Sequence, residues 1–396
     1  MNSLLYADAH EERTLIAVAK GDTWPSEIHE YTEEETGAQV RRLTAGDAHD
    51  HHLYFTASSF TGDGGRLIFG SERSGSPQLH MMQLDSGKIV QLTQAEGIKA
   101  QLGCVHGQAE MAYYTTANQL RSVSLDSLEE ETLYTCPEGF GFALPTITAN
   151  GSHIAMAYVE AMALSTETGV IYSTMHERFF RRPSSVIMRI ETDTGKALAC
   201  WGEHAWISHV CIHPTDPDLI MFCHEGSWGH VHQRMWTVKA GETPAQAHKL
   251  YPQHNNESVG HEYFTRNGEV GFQCTVKSMG ETLAFDCFIR PDNTWIRQYL
   301  WPGGKRAAHI QSNSDNSLVV GDGAYLSPDD ADGGNWMGII THSEGRCNVR
   351  RLCRHDTSWT TQIGHPHPIF SPDDEWVLFT SDRGGACNMY MARVPD

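Results

Sequence analysis

The feature that most constrains the fold is a short turn that recurs along the chain: an apolar or aromatic residue, a polar turn centred on Asp or Asn, then a β-rich run. It reads Phe60-Thr61-Gly62-Asp63-Gly64 and returns as Thr148-Ala149-Asn150-Gly151, Ile212-His213-Pro214-Thr215-Asp216, Phe264-Thr265-Arg266-Asn267-Gly268, Ser312-Asn313-Ser314-Asp315-Asn316 and Phe370-Ser371-Pro372-Asp373-Asp374, with a weaker copy over Cys104 to Ala109. Asp, Asn and Gly accept the backbone conformations of a tight hairpin, so each copy joins two strands. A second turn follows some twenty residues later, as in Leu84-Asp85-Ser86-Gly87, Leu125-Asp126-Ser127-Leu128 and Glu191-Thr192-Asp193-Thr194-Gly195. Two turns per repeat make four strands, and seven anchors spaced 43 to 66 residues apart predict an all-β, seven-bladed β-propeller.

The repeats leave no room for a second domain, so residues 1–396 are expected to form one. The last repeat runs out at Val394-Pro395-Asp396 after three strands, while Glu35-Thr36-Gly37 has the second-turn pattern with no first turn before it. The segment of about 29–44 is therefore expected to supply the outer strand of the last blade and remove two open sheet edges. Residues 155 to 185 are irregular enough to hold an insertion.

Charge narrows the partners. A formal net charge of −20, with only 29 Lys and Arg, argues against broad binding to nucleic acid or an anionic membrane. An acidic ligand would need a local cluster of cations or a metal. The first twelve residues show no basic region followed by an apolar run, and no apolar stretch is long enough to cross a membrane, so a cytoplasmic protein is expected. Ten Cys without a C-x-x-C pair suit buried reduced thiols.

Histidine, with 23 copies, is the unusual residue. His261, His309 and His367 each stand six positions before the turn residue of their repeat, and His209 stands seven before its own. The first strand of a propeller blade lines the central channel, so this register brings distant residues to one height around one axis. In Gln362-Ile363-Gly364-His365-Pro366-His367-Pro368, an extended backbone would place His365 and His367 on one face. His309, His365 and His367 are thus a candidate ligand set for a divalent ion, with Gln362 able to add an amide oxygen; ligand type does not choose among Mn²⁺, Fe²⁺, Ni²⁺ and Zn²⁺. His261 is a candidate general base. His51, twelve before Asp63, is expected to start the corresponding strand in the first complete blade. A His-rich channel wall bonded to water is the bland alternative.

These residues also carry a resemblance. His224-Glu225-Gly226, Arg234-Met235-Trp236, His261-Glu262-Tyr263-Phe264, Gly321-Asp322-Gly323, Arg354-His355-Asp356-Thr357-Ser358-Trp359 and the stretch Gln362 to Pro368 resemble the oligogalacturonate lyases, seven-bladed propellers of pectin catabolism. The resemblance runs from Thr36-Gly37 to the C-terminus. It implies Mn²⁺ held by Gln362, His309, His365 and His367, a Brønsted base at His261, and an arginine near the reaction centre at Arg234, which by itself reads as an ordinary strand residue. It also implies an acidic oligosaccharide substrate cleaved by β-elimination. His51, His209, His224, Arg181 and Arg182 are candidate contacts to that substrate. The segments Asp50-His51-His52-Leu53-Tyr54 and Arg178-Phe179-Phe180-Arg181-Arg182-Pro183 depart from the family pattern, being richer in His and Arg.

Two other propeller classes compete. A TolB-like scaffold that binds proteins would share the Phe-Ser-Pro-Asp and Ser381-Asp382-Arg383-Gly384-Gly385 segments, but has no need of clustered His. A prolyl-oligopeptidase-like enzyme would need a hydrolase domain and a G-x-S-x-G elbow, and the sequence has neither.

Overall fold

Four of the first turns are built by the same pair of side chains. Thr61 Oγ1 donates to Asp63 Oδ1 (2.6 Å), Thr148 Oγ1 to Asn150 Oδ1 (2.8 Å), Thr265 Oγ1 to Asn267 Oδ1 (2.6 Å) and Ser371 Oγ to Asp373 Oδ1 (2.5 Å). The same Asx oxygens accept the backbone N–H two residues on, from Gly65, Ser152, Glu269 and Glu375. An Asx turn of this kind satisfies the backbone locally and reverses the chain without help from the rest of the fold.

In the computed structural model, which describes residues 19–108, 110–166, 168, 172–227 and 229–395, these turns join the first and second strands of seven antiparallel blades. The first twelve residues, Ala109 of the weak turn copy and Asp396 lie outside the described residues. The innermost strands begin at Asp50, Lys99, Phe140, Val210, Glu257, Ile310 and Ile369. Blades five and six are joined into one eight-stranded sheet by a single parallel pairing of Leu300 with Arg346.

The last blade takes two strands from the N-terminal segment. Gln39–Arg42 pairs with Asn388–Arg393 as its fourth strand, and His29–Thr32 adds a fifth outside it. Glu35-Thr36-Gly37, with Gly37 at φ +76°, is therefore the hairpin between strands five and four. The chain closes the ring at the position where a third-to-fourth turn would otherwise stand. Thr23–Trp24 likewise extends the first blade past Ile89–Gln91.

Alternation along the strands buries one set of side chains between neighbouring blades, forming apolar clusters around Trp301, Phe55, Phe69, Phe272 and Phe379. All ten cysteines are buried and unpaired in disulfides. In blade three the hairpin between His153–Glu160 and Ser184–Glu191 carries an insertion holding the helix Met175–Arg181. No helix among the described residues is long and apolar enough to cross a membrane.

Candidate metal centre and its cavity

Three imidazoles converge where the innermost strands begin. His309 precedes Ile310, while His365 and His367 precede Ile369, and one ligand atom from each lies within 4.8 Å of the others. The ring centroids of His309 and His367 are 4.3 Å apart, and Phe55 stacks beneath at 5.9 Å from the His367 ring.

The stretch 365–368 is not a strand, as the alternation argument expected. Pro366 and Pro368 cannot donate to a ladder, and pairing starts only at Ile369. A 3₁₀ turn over Gln362–Gly364 leads in, and His367 adopts φ +45°. The two rings meet because His367 takes this left-handed conformation, a strained state that persists where the surroundings over-determine it. His52 Nε2 bonds the His367 carbonyl at 2.7 Å, and the other nitrogen of His52 bonds Thr380 Oγ1, also at 2.7 Å.

The donor set fits a divalent cation. His309 Nδ1 donates to Asp322 Oδ2 at 2.7 Å and its backbone N–H to Asp322 Oδ1 at 2.5 Å, leaving Nε2 as the available lone pair. His365 Nδ1 is buried without a hydrogen-bond partner, as a ligating nitrogen would be before its ion arrives. The Gln362 amide lies 3.4 Å from His367 Nε2, and rotation of that amide by half a turn puts its oxygen there. Burial, then the neighbouring His309, lowers the His365 pKa to about 4 and takes His367 well below its usual value. Both rings are neutral near pH 7, the form that binds a metal. Replacing Asp322 with Asn should weaken metal binding about 10- to 100-fold, read by metal titration, because the His309 tautomer is no longer fixed.

His261 stands beside this cluster, its ring centroid 4.6 Å from that of His309. It sits at a bulge in the strand Glu257–Phe264, where the register shifts between Gly260 and Tyr263, and its φ is +57°. Bulges re-aim a side chain. Gln273 fixes the tautomer: its amide nitrogen donates to Asp286 Oδ1 and the Ala307 carbonyl, so its oxygen faces His261 Nδ1 at 3.2 Å. Nδ1 must then carry the proton, and Nε2 is left as a base. Burial, then His309, depresses the His261 pKa well below the usual value.

A cavity of about 1080 Å³ adjoins these groups, lined by His261, His309, Gln362, His209 and Arg234 together with Lys99, Arg178 and Trp206. Arg178 belongs to the blade-three insertion and lies over the Trp206 ring at 5.1 Å. Arg234 is buried and already engaged: it donates to Glu225 Oε1 (2.9 Å) and to Glu262 Oε2 (2.8 Å) and Oε1 (3.2 Å). His209 Nδ1 lies 3.4 Å from Glu262 Oε1.

The other sequence candidates stand elsewhere. His51 is packed against Gly70, with Nδ1 3.1 Å from the His52 carbonyl, and it is His52 that reaches the metal stretch. His224 Nε2 bonds Glu203 at 2.8 Å and its ring lies on Trp236. Arg181 bonds the Ala163 carbonyl and Glu177, and Arg182 caps the helix at φ +50°. None of these lines the cavity. Asp322 orients His309, whereas the nearby motif acids Glu225 and Asp356 are paired with Arg234 and Arg354.

The model of the oligogalacturonate lyase family matches residues 18–396. The chain belongs to that family. It is 30% identical to the oligogalacturonate lyase of Dickeya dadantii (strain 3937), over 96% of this chain and 99% of that protein. It is also 30% identical to the oligogalacturonide lyase of Pectobacterium atrosepticum, with the same coverage. A solved oligogalacturonate lyase in complex with manganese superposes with a TM-score of 0.84 at 29% identity, over 96% of this chain and 99% of that one. The likeness to prolyl endopeptidases, 11% identical with a TM-score of 0.55, shows the propeller alone.

Proposed function

We propose that this protein cleaves short galacturonides, the fragments of pectin, by β-elimination, with Mn²⁺ as its cofactor. The observation that carries the reading is the convergence of His309, His365, His367 and Gln362 beside a base whose free nitrogen is fixed by Gln273. Manganese is the ion of the similar solved lyase, and this donor set accommodates it.

His309, His365, His367 and Gln362 would hold the ion, which when bound supplies a Lewis acid that neutralises a substrate carboxylate and acidifies the adjoining C5 proton. His261 Nε2 takes that proton. The C5–H electron pair forms the C4–C5 double bond as the C4–O bond breaks, and the glycosidic oxygen leaves with the C4–O bonding pair and is protonated from water. Lys99 and Arg178 bring positive charge to the cavity wall, as an acidic oligosaccharide requires, in a chain whose net charge is −20. Arg234 contributes differently from a free cation. With two carboxylates on its guanidinium it anchors Glu262, the neighbour of His261, and so positions the base.

Digalacturonate incubated with Mn²⁺-loaded protein should yield the ultraviolet absorbance of an unsaturated uronate. Chelation should abolish the signal and re-addition of metal restore it. Metal-loaded protein inactive on both saturated and unsaturated digalacturonate would overturn the substrate assignment.

A further inference from the structure

β-Elimination needs two proton transfers, and His261 carries out only the first. The oxygen that leaves C4 must gain a proton. In a galacturonate ring the C5–H and C4–O bonds project from opposite faces, so a base that has taken the C5 proton stands on the wrong side to return it. Water can be the donor, but an acid fixed in the cavity serves without waiting for solvent. Three observations single out Tyr54.

The first is its place in a row of rings. The ring centroids of His261 and His309 are 4.6 Å apart, those of His309 and His367 4.3 Å, and those of His367 and Tyr54 4.7 Å. The base and the phenol therefore stand at the two ends, with two of the candidate metal ligands between them. A carboxylate drawn to the middle of the row leaves the two faces of its sugar to the two ends. The fold sets this order. His261 belongs to the innermost strand of blade five, His309 stands at the entry to that of blade six, His367 at the entry to that of blade seven, and Tyr54 follows the strand Asp50–His52 of blade one. Blades five and one are three steps apart through blades six and seven, the widest separation that a ring of seven allows.

The second is access. Tyr54 is only 6% exposed, yet it lines the large cavity together with His261, His309 and Gln362. Tyr172, the other phenol among the described residues of that wall, belongs to the blade-three insertion and is 56% exposed. The third is a held hydroxyl. Tyr54 Oη lies 3.3 Å from His209 Nε2, and the Nδ1 of that imidazole lies 3.4 Å from Glu262 Oε1. When Nε2 carries a proton, the imidazole donates to the phenol oxygen and leaves the O–H to a substrate oxygen in the cavity.

We infer that Tyr54 is the acid of the elimination, its hydroxyl giving a proton to the C4 oxygen as the C4–O bond breaks, with His209 holding the phenol in position. The inference rests on the lyase reading above. His261 takes the C5 proton, the C5–H pair becomes the C4–C5 double bond, the C4–O pair stays on the departing oxygen, and that oxygen binds the Tyr54 proton. Tyr54 is left as phenolate and His261 as imidazolium. The phenolate regains a proton from solvent and the imidazolium gives one up to it, so the cycle closes without net gain or loss.

The test compares two leaving groups. Mn²⁺-loaded wild type, Tyr54→Phe and His209→Ala are given digalacturonate, whose departing oxygen needs a proton, and a methyl galacturonoside with fluorine in place of the C4 oxygen, whose fluoride does not. Single-turnover rates are read from the absorbance of the unsaturated product and from fluoride release, with metal content and galacturonate affinity measured on the same samples by elemental analysis and calorimetry. Tyr54→Phe should lose about 10²- to 10⁴-fold on digalacturonate but no more than about threefold on the fluoride, with metal content and galacturonate affinity as in the wild type. His209→Ala should show the same split with a smaller loss, because the phenol remains but is no longer held. An equal loss on both substrates would assign Tyr54 to the packing of His367 and overturn the acid, and an unchanged rate on digalacturonate would leave water as the donor. If the wild type cleaves neither compound, the lyase reading itself falls, and the acid with it.

Discussion

Replacing His261 with alanine is expected to lower kcat by about 10²- to 10⁴-fold, the usual contribution of a positioned general base, while the protein keeps its bound ion. The expectation rests on two features of the site. His261 is outside the trio whose ligand atoms converge, and its Nδ1 is committed to Gln273, so Nε2 alone faces the cavity. Replacing Gln273 with Leu should give a smaller loss of kcat, since the ring remains but its tautomer and orientation are no longer set. The two variants are read together by steady-state kinetics and by elemental analysis. Loss of the ion from His261→Ala would show that the residue is a ligand, and undiminished turnover would move the base elsewhere in the cavity.

The fold was legible because its signal is local. An Asx turn needs only three or four residues, so its chemistry repeats in the sequence wherever a hairpin must close, and the His offsets could be measured against it. The convergence of His309, His365 and His367 followed from that register, and the resemblance to the family gave Gln362 its proposed role. What escaped was set by backbone conformations and by packing across blades. Nothing in Gly364-His365-Pro366-His367 announces φ +45° at His367, nor does Gly260-His261-Glu262 announce a bulge. His51 is the residue the register singles out, and it is its neighbour His52 that bonds the His367 carbonyl. Side chains alternate along the strand Asp50–His52, so a shift of one exchanges the ring packed against Gly70 for the ring that bonds the metal stretch. Gln273 and Asp322 lie on second strands facing their histidines, a relation only strand pairing creates. Lys99 and Arg178 come from blades two and three and Trp206 from the link between blades three and four, away from the anchors with site histidines, so the register offered no reason to look there.

Glu262→Ala should be strongly destabilising, costing about 3 kcal/mol in denaturant melts, because it removes one of the two carboxylates that hold the buried Arg234. Glu262 and Arg234 are 0% and 4% exposed, and their pairing is two-pointed, so the guanidinium is left with Glu225 alone and its Nε loses its charged partner. Burial alone would raise the Glu262 pKa, but Arg234 and His209 outweigh it and hold the group well below its ordinary value; Glu225 is lowered in the same way by Arg234. A carboxylate whose pKa is depressed on folding contributes stability above the unfolded value of about 4.3 and loses it as pH falls towards the folded value. Wild-type stability should therefore decline below about pH 5, and that decline should be shallower in Glu262→Ala, which has already lost the linkage. A variant with Glu225→Leu, Arg234→Met and Glu262→Leu together should recover much of the stability of Glu262→Ala, since apolar residues of similar volume replace a buried ion network at little cost. If Arg234 positions His261 rather than touching substrate, Arg234→Met should lower kcat with little change in KM for digalacturonate. A rise in KM with kcat preserved would instead place Arg234 against the substrate carboxylate.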